Sequence, residues 1–228
     1  MMHPSRHLIF DLDGTLVDSA PVIVAVLNEM LCERGSERRT SVDELRPWLS
    51  WGGEALISAV LQVEGDELVR ELAGFRTRYA AHRTPAACVF DGVRKGLHDL
   101  VSAGFVLGIC SNKPQHLCEK VLDDVGLARL FPVIVGSAPD LPQKPAPDLL
   151  DRALRKLQAR PSRCFLIGDS DVDHAAACAA GVPFLLMSYG YASEEWDTSQ
   201  LAQFNRFSDL VASFVPEQAP SLPLRKAA

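Results

Sequence analysis

The chain has 228 residues, 47% hydrophobic and 23% charged, a globular composition that excludes whole-chain disorder, collagen and coiled coil. Its 29 acidic residues against 23 basic ones give a net charge of −6, and no basic stripe points to a nucleic-acid partner. Six scattered cysteines show neither a C-x-x-C pair nor metal-ligand spacing, so buried, reduced thiols are expected.

Leu8-Ile9-Phe10 running into Asp11-Leu12-Asp13-Gly14-Thr15 predicts a short buried strand that enters a glycine turn. This apolar run is far shorter than a signal-peptide core, and no stretch approaches the ~20 apolar residues of a membrane span. A cytoplasmic monomer or homodimer with no membrane partner is therefore expected. Ser19 is placed as the N-cap, with Pro21 in the first turn, of an amphipathic helix over 20–34.

From 41 to 83 the pattern stays helical. Ser41 and Glu44 form a capping box, and Gly52-Gly53 interrupts the chain. Leu68, Leu72, Phe75 and Tyr79 share one side of a helix over 67–83. Beyond Pro85 the rhythm changes. Helices are predicted over 93–103, 113–125, 147–158 and 173–180, alternating with apolar strands over 105–110, 132–135, 164–167 and 182–187. Such alternation specifies an α/β fold, a doubly wound parallel sheet covered on both faces. Residues 1–16 and 88–216 form its Rossmann-like core, 17–87 an inserted small all-helical domain, and 217–228 a poorly ordered tail.

In such a sheet ligands sit beyond the carboxyl ends of the strands, and four polar clusters fall there. Asp11 and Asp13, two apart in extended chain, face one way and invite a hard cation such as Mg²⁺. Ser111-Asn112-Lys113, placed at a helix N-terminus, offers a hydroxyl and N–H groups to an anion. Lys144 sits among restraining prolines, and Gly168-Asp169-Ser170-Asp171-Val172-Asp173 brings further acids. Acids, hydroxyl and ammonium converging in this way suit phosphoryl transfer.

At 11–19 (Asp-Leu-Asp-Gly-Thr-Leu-Val-Asp-Ser), 111–114 (Ser-Asn-Lys-Pro), 144–148 (Lys-Pro-Ala-Pro-Asp) and 168–173 (Gly-Asp-Ser-x-x-Asp) the chain resembles the haloacid dehalogenase superfamily of phosphotransferases. Leu-Val-Asp-Ser-Ala-Pro at 16–21, Ser-Asn-Lys-Pro and Tyr189-Gly190-Tyr191 are similar to its phosphoglycolate phosphatase branch. The resemblance implies a core of this superfamily with 17–87 as its cap. It implies that Asp11 is a nucleophile forming an aspartyl-phosphate and Asp13 a general acid and base. Mg²⁺ would be held by Asp11, the Asp13 carbonyl and Asp169, while Ser111, Asn112 and Lys144 hold phosphoryl oxygens. Thr15 would position Asp13, and Asp173 would steady Lys144 or a metal-bound water.

The substrate so implied is a small phosphate ester, 2-phosphoglycolate first. Its carboxylate would meet Arg46, Trp48 or Trp51 near the Gly52-Gly53 turn, with Gly53 shaping that loop. Sugar phosphates, nucleotides or pyrophosphate remain open as substrates, as does a β-phosphoglucomutase-like reaction. A receiver-like phospho-Asp signalling module uses related groups, but in another order and without an inserted helical unit.

Overall fold

Leu8, Ile9 and Phe10 are all inaccessible to solvent, yet they belong to two different apolar clusters. Leu8 and Phe10 pack with Leu97, Ile109, Leu122 and Phe207, whereas Ile9 packs with Cys110, Leu150, Leu154 and Leu166. Because side chains alternate along a strand, a run buried at every position must be covered on both faces. The rest of the sheet follows this strand.

The computed structural model describes residues 7–193 and 195–215; the tail expected at 217–228 lies outside them. Six strands pair in parallel: β1 His7–Phe10, β2 Val106–Pro114, β3 Val133–Ser137, β4 Cys164–Gly168, β5 Phe184–Met187 and the short β6 Gln203–Phe204. Their order is β3-β2-β1-β4-β5-β6. Helices α5 (Val93–Ser102), α6 (Gln115–Asp124) and α9 (Phe207–Phe214) cover one face; α7 (Asp148–Leu157) and α8 (Asp171–Ala180) cover the other. This is the expected doubly wound α/β fold.

Between β1 and α5 lie α1 (Ala20–Glu33), α2 (Val42–Leu45), α3 (Gly53–Leu61) and α4 (Gly65–Ala81), with no strand among them. Their buried residues, including Ile23, Leu27, Ile57 and Phe75, continue the cluster that contains Phe10. Ser41 and Glu44 make both bonds of the capping box. Ser19 occupies the N-cap position of α1, but its hydroxyl makes no capping bond. Asp18 accepts from the Ala20 N–H instead, at 3.3 Å.

Two further differences bear on the site. β2 does not end at Cys110 but runs on through Ser111-Asn112-Lys113, so these residues are extended and not the first turn of α6. The β6–α9 pair, not foreseen from periodicity, closes the sheet edge and covers α5. Of the cysteines, Cys110, Cys118 and Cys164 are buried thiols, whereas Cys32 and Cys178 are exposed. Among the described residues no helix is long and apolar enough to cross a membrane.

The contact of α5 with α9 is close. A Cβ at Gly96 would stand 2.7 Å from both the Phe207 ring and a Val211 methyl. Gly96→Val therefore forces α9 outward and should lower stability by about 1–3 kcal/mol. The check is the urea midpoint, which should fall with little change in slope.

Candidate active site

β1 has β2 on one side and β4 on the other, so the strand order reverses beside it, where a crevice opens at the carboxyl ends. Asp11 directly follows β1 and Asp169 directly follows β4. Lys144 reaches the same point from the loop between β3 and α7. Its Nζ lies 2.9 Å from Asp11 Oδ1 and 2.5 Å from Asp173 Oδ1, and it donates to the Cys110 carbonyl at 3.0 Å.

Asn112 fixes the loop that carries this lysine. Its Nδ2 donates to the Lys144 carbonyl at 2.9 Å, and its Oδ1 accepts from the Lys144 N–H at 2.8 Å. The amide is thereby engaged on both sides, which leaves main-chain N–H as the group Asn112 can offer an anion. Ser111 is buried and lines the cavity described below.

Asp169 is held from two directions. Thr15 Oγ1 donates to its Oδ1 at 2.7 Å, and the Tyr191 N–H donates to its Oδ2 at 2.7 Å. Thr15 therefore positions Asp169, not Asp13 as expected. The turn that aims it depends on Gly14, which has φ +82°; a Cβ there would stand 2.2 Å from Asp169 Oδ2. A Cβ at Gly190 would meet the Asp169 Cβ at 2.3 Å, so both walls of this carboxylate are bare backbone. Asp173 accepts from Ser170 Oγ at 2.6 Å, and Ser170 Oγ in turn accepts from the Asp173 N–H at the start of α8.

Asp11, Asp169 and Asp173 each present an oxygen within 4.8 Å of the others, and all three are buried. Three carboxylates face one ammonium. Burial pushes Asp11 from 3.8 up to about 6; Lys144 pulls it down, while Asp173 and Asp13 push it up. Burial, then Asp173 and Asp11, hold Asp169 well above the usual carboxylate range. Burial opposes the charge on Lys144, but Asp11 and Asp173 outweigh it and keep the ammonium protonated. A buried oxygen donor set with surplus negative charge fits a hard divalent cation such as Mg²⁺.

Asp13 faces a second cation, Lys113, to which the sequence assigns no partner. Lys113 Nζ pairs with its Oδ2 at 2.8 Å, while its Oδ1 is buried without a hydrogen-bond partner among the described residues. The same ammonium sits 4.5 Å from the ring centroid of Tyr79 on α4. Lys113 was legible only as part of Ser-Asn-Lys-Pro; its partner depends on β2 continuing past Cys110.

Asp11, Asp13, Ser111, Lys113, Lys144 and Asp173, but not Asp169, line one cavity of about 60 Å³, roofed by Gly52, Gly53, Leu72, Phe75, Arg76 and Tyr79 among others. Gly53 is thus at the cavity. Arg46 is not: its guanidinium donates to the Gly190 carbonyl at 2.9 Å and ties the segment after α2 to the loop after β5. Trp51 is 51% exposed and Trp48 41%, and neither lines the cavity. Arg76, not foreseen, does.

Fold and site together define an α/β enzyme of the phosphoryl-transfer type, with acids and an ammonium gathered where the strand order reverses. The family model for haloacid dehalogenase-like hydrolases matches residues 8–187, and the chain belongs to that family. A phosphoglycolate phosphatase of Xanthomonas campestris is 38% identical over 188 residues, covering 82% of this chain and 84% of that one. One from Colwellia psychrerythraea is 34% identical over 219 residues, covering 90% and 95%. The enzyme is a phosphatase of phosphoglycolate phosphatase-like sequence. In fold it is similar to a predicted phosphoglycolate phosphatase from Haemophilus somnus (TM-score 0.81, 23% identity, 94% of this chain and 100% of that one). CbbY from Rhodobacter sphaeroides has a TM-score of 0.75 at 22% identity, covering 90% of this chain and 96% of that one.

The raised carboxyl groups carry a prediction. Folding raises Asp11 toward pH 6, so its ionised form costs stability as pH rises through the window from 3.8 to about 6. A cation bound to the ionised cluster offsets that cost. At a hundredfold excess over Kd, Mg²⁺ should add about 2.7 kcal/mol, or roughly 5–10 °C in Tm, at pH 7.5. The shift should shrink at pH 5 and vanish with EDTA. A thermal melt in which Mg²⁺ has the same effect at both pH values would contradict the cluster's role.

Proposed function

We propose that this enzyme is a Mg²⁺-dependent phosphomonoester hydrolase that acts on a small phosphorylated metabolite, 2-phosphoglycolate, through an aspartyl-phosphate. The observation that carries this reading is the pairing of two buried ammonium–carboxylate contacts at one cavity. Lys144 lies on Asp11, and Lys113 lies on Asp13. In this reading residues 1–16 and 88–216 are the catalytic core, and 17–87 are a cap that closes over the crevice.

Asp11 attacks phosphorus with a carboxylate oxygen, and the ester P–O bond breaks as the new one forms. Its alignment on Lys144 keeps that oxygen directed into the crevice while the ammonium attracts phosphoryl oxygens. Ser111 Oγ and main-chain N–H groups hold the remaining oxygens. Asp13 gives a proton to the departing alkoxide, then takes one from the water that cleaves the aspartyl-phosphate. One of its oxygens is steadied by Lys113 and the other has no hydrogen-bond partner among the described residues, which suits a group that must exchange a proton. Mg²⁺, held by the carboxylates of Asp11 and Asp169 and the Asp13 carbonyl, would neutralise charge so that an anionic nucleophile and an anionic phosphate can meet. Asp173 keeps Lys144 in place, and Thr15 keeps Asp169 in place.

The relatives named phosphoglycolate phosphatase support a short, carboxylate-bearing ester as substrate.

Asp11→Asn removes the nucleophile and one buried negative charge together. Turnover of 2-phosphoglycolate should fall below about a thousandth of wild type, while Tm without metal stays level or rises. Phosphate release from a panel of esters, with and without EDTA, is the measurement. A variant retaining most of its activity rules out Asp11 as nucleophile.

A further inference from the structure

Most charges at the cavity are satisfied from within. Lys113 pairs with Asp13, and Lys144 pairs with Asp11 and Asp173. The segment 20–81 contributes one charged residue to the lining, Arg76. Its place on α4 follows from helical spacing: positions 72, 75, 76 and 79 share a face, and all four line the cavity. On the outer side of the same helix, Arg78 meets Glu33, while Glu67 and Glu71 meet Arg34 at 2.9 and 2.6 Å, and Asp66 and Arg70 are exposed. Arg76 is half-buried and makes no hydrogen bond or ion pair with any described residue.

Arg76 lines the cavity together with Leu72, Phe75 and Leu56 and has no acceptor among the described residues, so an entering anion is its natural partner. It stands on the roof, whereas the phosphoryl-binding groups stand on the floor at the strand ends. The anion it meets therefore belongs to the leaving group. Five donors in a planar fork match a carboxylate two-fold.

We infer that Arg76 is the specificity-determining residue that binds the carboxylate of the leaving alcohol, so that the enzyme selects short phosphate esters bearing a carboxylate over neutral ones. This rests on the hydrolase reading above and deepens it. It also moves recognition from Arg46, whose guanidinium is taken by Gly190, to α4.

The experiment compares kcat/KM for 2-phosphoglycolate with that for ethyl phosphate, which has the same carbon count and no carboxylate. Both are measured in wild type, Arg76→Met and Arg76→Lys. In Arg76→Met the ratio of the two should drop about a hundredfold, chiefly through KM for phosphoglycolate. Arg76→Lys should recover only part of it, since a point charge lacks the fork. In the inactive Asp11→Asn background, calorimetry should show weaker phosphoglycolate binding when Arg76→Met is added. A loss shared equally by both esters, or a wild type that prefers ethyl phosphate or a bisphosphate, overturns the inference while leaving the hydrolase intact. A wild type that hydrolyses no ester in Mg²⁺ overturns the hydrolase reading itself.

Discussion

Everything at this site is organised by one buried ammonium that two carboxylates share. Lys144 is 5% exposed and lies within 3 Å of both Asp11 and Asp173, with Asp169 close by. Desolvating such a set costs several kcal/mol per ion unless geometry and hydrogen bonding offset it. The surrounding fold is best understood as the means of holding that arrangement against its own repulsion. Neutral packing would be more stable, so the excess negative charge points to use and not to structural need.

How the charges are held is visible in the backbone. Asn112 grips the Lys144 peptide on both sides, which couples the end of β2 to the loop before α7. Gly14 and Gly190 bring two main-chain walls against Asp169, closer than any side chain could come. Ser170 braces Asp173 as the first turn of α8 begins. The first two of these braces join chain segments that are distant in sequence, while the last is local to the start of α8. The site is therefore only as well placed as the strand order itself.

Much of this was legible in the residues. A run buried on both faces, as at Leu8-Ile9-Phe10, announces a doubly covered strand, and acids directly after it mark the crevice. What was not legible depended on directions that spacing does not encode. Thr15 follows Asp13 closely, yet the left-handed turn at Gly14 aims it at Asp169. Arg46 is near Gly52-Gly53 in sequence, but it opens a short 3₁₀ turn and spends its guanidinium on a carbonyl beyond β5. The sequence places Lys113 at the start of a helix; in the fold it prolongs a strand and meets Asp13. The β6–α9 pair escaped notice because a two-residue strand carries no periodicity.

In the reading proposed above, chemistry and selectivity fall on different parts of the chain. Strand ends supply groups that act on a phosphoryl group whatever alcohol it carries, so nothing on the floor can distinguish one ester from another. Discrimination has to come from the roof, where Leu72, Phe75, Arg76 and Tyr79 are presented by a single helix. Tyr79 also lies against Lys113, so the helix that would read the leaving group touches the cation that steadies the acid protonating it. A misplaced leaving group would disturb α4, and through the Tyr79–Lys113 contact it would disturb Asp13. In that reading recognition at Arg76 and proton transfer at Asp13 would be linked through one face of α4, without any direct bond between the two residues.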